Sequence, residues 1–92
     1  MTDIRKQVED YFTSKYPSLE LDGRKCFILP NGVVARVDTI TWDGEKNIVI
    51  EYADNMNLAK NGAFDDGDSY PPSAYQSIDD LIAELERECL NE

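Results

Sequence analysis

Carboxylates are the main side chains of this chain that could do chemistry, and they are densest in the run Asp65-Asp66-Gly67-Asp68. Their oxygens are ligands that Ca²⁺ prefers, and Asp54 is a further candidate outside the run. The spacing differs from that of the common calcium loop, in which acidic ligands alternate with other residues and a Glu follows at the end. We therefore predict an acidic turn built on Gly67 and no metal site.

The chain contains no histidine, which removes the commonest general base and both the Ser-His and the Cys-His nucleophile pairs. It also has no glycine-rich phosphate loop of the Walker or dinucleotide type. The two cysteines, Cys26 and Cys89, cannot complete a four-ligand zinc site without carboxylates or a second chain. We predict that the protein is not an enzyme, binds no cofactor and keeps both thiols reduced.

Charge is spread unevenly along the chain, whose formal net charge is −10. Residues 1–46 carry eight acids and seven bases, a net charge of −1, whereas residues 47–92 carry eleven acids and two bases, a net charge of −9. The acidic half disfavours nucleic acid and anionic lipid surfaces as partners, and it favours a basic protein surface. The candidate acidic surface consists of Asp65, Asp66, Asp68, Asp79, Asp80, Glu84 and Glu88.

The length of 92 residues predicts one small domain over residues 1–92. The 41% of hydrophobic residues and 30% of charged residues are typical of a folded chain rather than a disordered one. No apolar stretch is long enough for a membrane span or a secretory signal. We therefore expect a cytoplasmic protein with no membrane partner.

The stretch from Arg24 to Asp54 has the alternation of branched or aromatic residues with polar ones that is typical of strands. Pro30-Asn31-Gly32 predicts a three-residue hairpin loop, and Asp43-Gly44 predicts a two-residue primed turn. These turns set the register of an antiparallel three-stranded meander. They place Phe27 opposite Ala35, Leu29 opposite Val33, Val37 opposite Ile50, Ala35 opposite Tyr52 and Arg36 opposite Glu51.

The register assigns each side chain to one of two sheet faces. The first face is almost entirely apolar, and it carries Phe27, Leu29, Val33, Ala35, Val37, Ile48, Ile50 and Tyr52. The second face is mixed, and it carries Cys26, Ile28, Val34, Arg36, Asp38, Ile40, Trp42, Val49 and Glu51. We expect the helices to cover the first face.

A helix is predicted on each side of the meander. In the first helix, Thr2 is the expected N-cap, Asp3 lies in the first turn, and Pro17 ends the helix at about residue 15 or 16. Its apolar stripe is Ile4, Val8, Tyr11, Phe12 and Tyr16. The second helix begins at Ser77 and has the stripe Ile78, Leu81, Ile82, Leu85 and Cys89. The predicted fold is α+β, in the order α-β-β-β-α, with both helices on one sheet face.

The connections leave two questions open. Leu19 and Leu21, in the connector before the meander, could lie under the first helix or start an early strand. Asn55 to Gln76 is longer than an ordinary connection and is therefore the first place to look for function. It could contain one helical turn before Asn61-Gly62.

The second face raises the main functional question, because two helices can cover only one face of this sheet. The Asn55–Gln76 segment could shield it with Leu58, Phe64 or Tyr70. A second copy of the chain or another protein could also pack there, and we favour this possibility. Trp42 would then be the anchor, in a contact set of Trp42, Ile40, Val34, Arg36 and Val49.

We therefore expect a non-catalytic protein-interaction module, with a homodimer as one form. In outline, an acidic α-β-β-β-α domain is similar to some small phage-encoded inhibitors and bacterial immunity proteins. This resemblance implies an inhibitor or immunity-like function. The alternative is an acidic mimic of nucleic acid, whose carboxylates would occupy the basic groove of a nucleic-acid-binding enzyme.

Overall fold

A computed structural model describes residues 3–91 and shows an antiparallel sheet of five strands, with three α-helices. The elements are α1 (Ile4–Lys15), β1 (Ser18–Leu21), β2 (Arg24–Ile28), β3 (Val34–Trp42), β4 (Glu45–Ala53), α2 (Met56–Lys60), β5 (Asp66–Tyr70) and α3 (Ile78–Leu90), with a 3-10 turn at Pro72–Ala74. The strands lie side by side in chain order. The α+β class is confirmed, but the predicted count of three strands and two helices is wrong by two strands and one helix.

The register of the central strands is as predicted. Phe27 pairs with Ala35, and Val37 pairs with Ile50. Asp43 and Gly44 have φ angles of +52° and +77°, as a primed two-residue turn requires. The Pro30–Gly32 loop is closed by a hydrogen bond from the Leu29 backbone N–H to the Val33 carbonyl oxygen, at 2.9 Å. Two local turns thus determine which side chains reach the core.

The first additional strand, β1, resolves the open question about the connector before the meander. Leu19 pairs with Cys26, and Leu21 pairs with Arg24. Asp22 and Gly23 form the turn between β1 and β2 with φ angles of +54° and +75°. This is the same Asp-Gly turn chemistry that was used to predict the β3–β4 hairpin. The signal for this strand was therefore present in the sequence.

The second additional strand, β5, contains Asp66, Gly67 and Asp68 of the run that is predicted to be an acidic turn. Asp66, Gly67 and Asp68 pair with Tyr52, Glu51 and Ile50 of β4, so the turn prediction is wrong. Asp and Gly have low strand propensity, and this run gave no local signal for a strand. Tyr70 lies in the core of the first face, and its burial holds this end of β5 against the sheet.

The core lies between the first face and the two long helices, as predicted. Val8 and Phe12 of α1 and Leu81 and Leu85 of α3 are fully buried there. The Phe12 ring stacks on Phe27 with ring centroids 4.6 Å apart and an interplanar angle of 8°. A buried aromatic pair of this kind adds about 0.5–1.5 kcal/mol beyond the burial of its apolar area.

The helix ends are set by side-chain caps and by proline. Thr2 lies outside the described residues, and the N-cap of α1 is Asp3, whose carboxylate accepts a hydrogen bond from the Arg5 backbone N–H at 3.0 Å. The helix ends at Lys15, because Tyr16, before Pro17, is extended. Ser77 caps α3 by accepting a hydrogen bond from the Asp80 backbone N–H.

One carboxylate joins α1 and α3 directly. Glu86 accepts hydrogen bonds from the Tyr11 hydroxyl at 3.1 Å and from the Tyr16 hydroxyl at 2.6 Å. The Lys15 ammonium lies 2.8 Å from the same carboxylate. Glu86 lies near the C-terminus of α3, where the helix dipole disfavours a negative charge. These three partners compensate for that position, and we call the four residues the Glu86 clamp.

Candidate functional site

The second face is divided into a covered half and an open half. In the covered half, Val34 is fully buried in a small cluster with Cys26, Ala53 and Ala59 of α2. The N-cap of α2 is Asn55, whose side chain accepts a hydrogen bond from the Leu58 backbone N–H at 2.9 Å. Val34 was predicted to be an interaction residue. It is buried within its own chain and forms no part of the exposed surface.

A layer of ion pairs crosses the middle of the second face. The Arg36 Nε atom lies 3.2 Å from a Glu51 carboxylate oxygen, and the Phe64 ring centroid lies 4.1 Å from the guanidinium carbon of Arg36. Arg24 extends the layer by an ion pair with Asp38 at 2.9 Å. The Arg36 side chain is 16% exposed, and its charge is already paired within the chain. Its predicted role at the rim of an interface is not supported by this arrangement.

The segment that follows β4 therefore covers only part of the second face. Phe64 lies over Arg36, and Leu58 remains exposed. Tyr70 belongs to the core of the first face instead. Of Leu58, Phe64 and Tyr70, Phe64 alone covers part of the second face.

Beyond the ion pairs, the second face is open. Trp42 is 73% exposed and Ile40 is 50% exposed. Together with Val49 and part of β5 they line a groove of about 390 Å³, which we call the Trp42 groove. Its lining residues are Ile40, Trp42, Val49, Gly67, Asp68 and Ser69. Three of the five predicted interaction residues thus lie together on one exposed surface.

The β5 side of the Trp42 groove is formed by residues that the sequence analysis missed. Gly67 and Ser69 occupy the second face of β5, because they pair with Glu51 and Val49 of β4. A Cβ atom at Gly67 would lie 2.6 Å from the Ile50 carbonyl oxygen, so a larger residue would require the strands to move. These small residues leave the groove open towards the edge of the sheet.

The acids around β5 are exposed, and one of them, Asp68, lines the groove. Asp65 precedes β5, and Asp66 and Asp68 lie in it, opposite first-face residues of β4. Burial, followed by the carboxylates of Asp68 and Glu88, raises the pKa of Tyr70 to about 12. Asp68 of β5 and Glu88 of α3 thus both disfavour ionisation of the Tyr70 hydroxyl.

The other predicted acids are spread along α3. Asp79 and Asp80 lie in the first turn of α3. Glu88 lies nine positions after Asp79, which is roughly 13 Å along a helix. Glu84 is paired with Arg87. The predicted acids thus lie on two elements, with Asp65, Asp66 and Asp68 in or next to β5 and the other four along α3.

Comparison with protein-family models, with curated proteins and with solved structures finds no match. Between residues 3 and 91, no three His, Cys, Asp or Glu side chains are arranged to hold a metal ion. No helix in this part of the chain is long and apolar enough to cross a membrane. The Trp42 groove is therefore the feature of the molecule from which a function can be inferred.

The two cysteines are buried on opposite sides of the sheet. Cys26 belongs to the cluster under α2, whereas Cys89 belongs to the core of the first face, where its Sγ atom lies 3.7 Å from the Tyr52 hydroxyl oxygen. The sheet between them prevents a disulfide bond. Burial raises the pKa of the Cys26 thiol against the opposing effect of Arg36. Cys26 is thus a poor nucleophile.

Proposed function

We propose that this chain is a non-catalytic protein-binding module that contacts its partner through the Trp42 groove. The observation that carries the proposal is the exposure of Trp42 beside Ile40 and Val49, on a sheet face that is otherwise covered. Contiguous apolar surface of this kind often marks an interaction site. Tryptophan is also among the residues enriched at interface hot spots.

The partner we propose is a different protein with a basic surface, not a second copy of the chain. The net charge of −10 opposes self-association, since two copies would bring their acidic surfaces together. Asp68 lines the Trp42 groove, and Asp65 and Asp66 are exposed just before it along the chain, where these carboxylates would attract Lys or Arg residues of a partner. Such a module would act as an inhibitor or immunity-like protein by covering part of its partner.

Two buried cysteines that cannot pair suit a reducing compartment, and we propose that the module acts in the cytoplasm. The lack of histidine and the protonated state favoured for Cys26 support a non-catalytic function.

Acidic mimicry of nucleic acid is the second candidate, and the exposed carboxylates of Asp65, Asp66 and Asp68 favour it. The two candidates differ in what should carry the affinity. In mimicry the carboxylates dominate, so binding should weaken steeply with salt, because the screening length falls from about 8 Å at physiological ionic strength to about 3 Å at molar salt. In the module, the apolar contact of Trp42 should persist at high salt.

The test is to capture a partner from the native host, identify it, and measure its affinity for purified variants. Trp42→Ala should weaken binding about 30-fold or more, since hot-spot truncations cost about 2 kcal/mol or more. Leu90→Ala is the matched control, because Leu90 is an exposed apolar residue of α3 outside the groove. The affinity of Leu90→Ala for the partner should equal that of the wild type.

Other outcomes would contradict the proposal. If Trp42→Ala binds normally while Asp66→Asn with Asp68→Asn abolishes binding at low salt, mimicry is the better explanation. If the purified wild type sediments as a dimer that Trp42→Ala dissociates, the groove binds a second copy.

A further inference from the structure

The exposed edge of the sheet continues directly into the Trp42 groove. β5 is the last strand in the sheet order, and it pairs with β4 along one side only. No other strand of the described chain pairs with its outer side. Residues Asp66 to Ser69 are exposed. The outer backbone groups of such a strand are a template on which another extended segment can add.

The two faces of β5 differ in their chemistry. Asp66 and Asp68 pair with Tyr52 and Ile50, so they project on the first-face side of the sheet. Gly67 and Ser69 project on the second-face side and line the groove. A strand that adds to this edge would therefore have carboxylates beside one face and an apolar groove beside the other.

From this juxtaposition we propose that the partner contributes an extended segment that adds to β5 as a sixth strand, with Lys or Arg residues alternating with apolar residues. The proposal rests on the proposed function and specifies the chemistry of the partner. The basic side chains would lie beside Asp66 and Asp68, because neighbouring strands place side chains on the same face about 5 Å apart. The apolar side chains would lie on the side of Gly67 and Ser69.

The apolar side chains of the added strand are within reach of the groove. Two strand spacings, about 10 Å, separate the position of a sixth strand from β4, where Val49 lies. The side chains of Gly67 and Ser69, on the strand between these two positions, are small and leave this space open. A long side chain such as Leu or Phe can therefore extend over β5 towards Val49 and the exposed ring of Trp42.

The same acids act against self-association along this edge. If β5 strands of two copies paired, Asp66 and Asp68 of one copy would face the carboxylates of the other on the same face. Like charges opposite each other destabilise a strand pair, and charged edge residues commonly protect sheets from aggregation. The edge therefore selects a basic strand over a second copy of itself.

The test uses a blocked synthetic peptide of about seven residues in which Lys alternates with Leu and Phe, a length that matches β5 with a margin. The intact protein is labelled for NMR, and both shift changes and amide exchange are followed during the titration. We expect the changes to centre on Asp66 to Tyr70 and the groove, and exchange of outward-facing β5 amides to slow. A peptide with the same composition but grouped Lys residues should bind more weakly.

Strand addition requires the peptide backbone, so an N-methylated peptide with the same side chains should not bind. In the protein, Asp66→Asn with Asp68→Asn should weaken binding of the parent peptide about three- to tenfold, as expected for two exposed charge pairs. Glu20→Gln with Asp22→Asn removes the same charge at β1 and the β1–β2 turn, by the opposite edge of the sheet. This control should bind like the wild type.

The failures of the two proposals are distinguishable. If the N-methylated peptide binds as well as its parent while Trp42→Ala still weakens binding, strand addition is wrong and groove binding stands. If the alternating peptide does not bind at millimolar concentration while the captured partner still depends on Trp42, strand addition is again wrong. If Trp42→Ala affects neither the peptide nor the partner, the proposed function is wrong as well.

Discussion

The Phe64 ring lies over the guanidinium group of Arg36, 4.1 Å from its central carbon. The contact fixes the boundary between the two halves of the second face. On one side of it Val34 and Cys26 are buried, and on the other Ile40 and Trp42 are exposed. The Phe64 ring, together with α2, thus marks where the cover of this face ends.

Removing that ring should uncover the ion-pair layer. Phe64→Ala removes a cation–π contact of about 0.5–2 kcal/mol together with part of the apolar cover, so the free energy of unfolding in urea should fall by about 1–2 kcal/mol. Phe64→Leu retains an apolar cover and should lose less. Equal stability of Phe64→Ala and the wild type would show that the ring is not held in this contact.

The assignment of the two faces can be tested by placing one charge on each. Val37→Asp buries an unpaired carboxylate in the first-face core and should cost several kcal/mol, which is enough to unfold so small a domain. Val49→Asp, on the neighbouring strand, places the same charge in the open groove and should leave the domain folded. Circular dichroism distinguishes the two results. A folded Val37→Asp variant would contradict the face assignment.

The Glu86 clamp should make stability depend on pH. Partial burial opposes the ionisation of Glu86, but hydrogen bonds from Lys15, Tyr16 and Tyr11 outweigh it and lower the pKa of Glu86. A carboxyl whose pKa is lower in the folded state stabilises the fold above its unfolded pKa of about 4.3, and this stabilisation is lost as the pH falls further. Glu86→Gln should therefore be less stable than the wild type at neutral pH, by about 1–2 kcal/mol.

The difference in the free energy of unfolding between the wild type and Glu86→Gln should narrow as the pH is lowered below about 4.3. Glu9→Gln is the control, because the Glu9 carboxylate makes a long ion pair with Arg5, at 3.9 Å. This substitution should change the free energy of unfolding little at any pH. Urea unfolding at several pH values measures both variants. A difference that stays constant from neutral to acid pH would mean that the charge of Glu86 contributes nothing.

Both thiols should be reduced and protected in the folded protein. Cys26 and Cys89 are fully buried on opposite sheet faces, so a thiol reagent should react slowly with the native state and with two equivalents in denaturant. The α2 cover predicts that Ala59→Asp, which would place a charge in the Cys26 cluster, speeds the reaction of Cys26 but not that of Cys89. Failure to find two thiols in denaturant would overturn this expectation.

Sequence patterns predicted the elements that depend on local chemistry. Pro30-Asn31-Gly32 and Asp43-Gly44 are strong turn signals, and the strands between them were placed in the correct register. β1 could have been found from Asp22-Gly23, which carries the same signal. β5 could not have been predicted in this way. Its Asp and Gly residues disfavour a strand, and its pairing depends on β4 and on the burial of Tyr70.

The candidate site was predicted only in part for a related reason. Alternation along β3 placed Ile40 and Trp42 on the correct face, but it could not show that Phe64 and α2 cover the other half of that face. The burial of Val34 and the internal pairing of Arg36 arise from contacts between distant parts of the chain. Local patterns contain no information on such contacts.

The order of the sheet and α3 along the chain has a consequence for synthesis on the ribosome. Every strand neighbours its predecessor, so the sheet can form progressively as the chain emerges. The helix α3 follows all five strands, so its Cys89 can reach the Tyr52 hydroxyl only after every strand of the sheet has been made. Until then α1 can cover its own part of the first face, but the part under α3 is open to water, and the nascent chain exposes the kind of surface that chaperones bind.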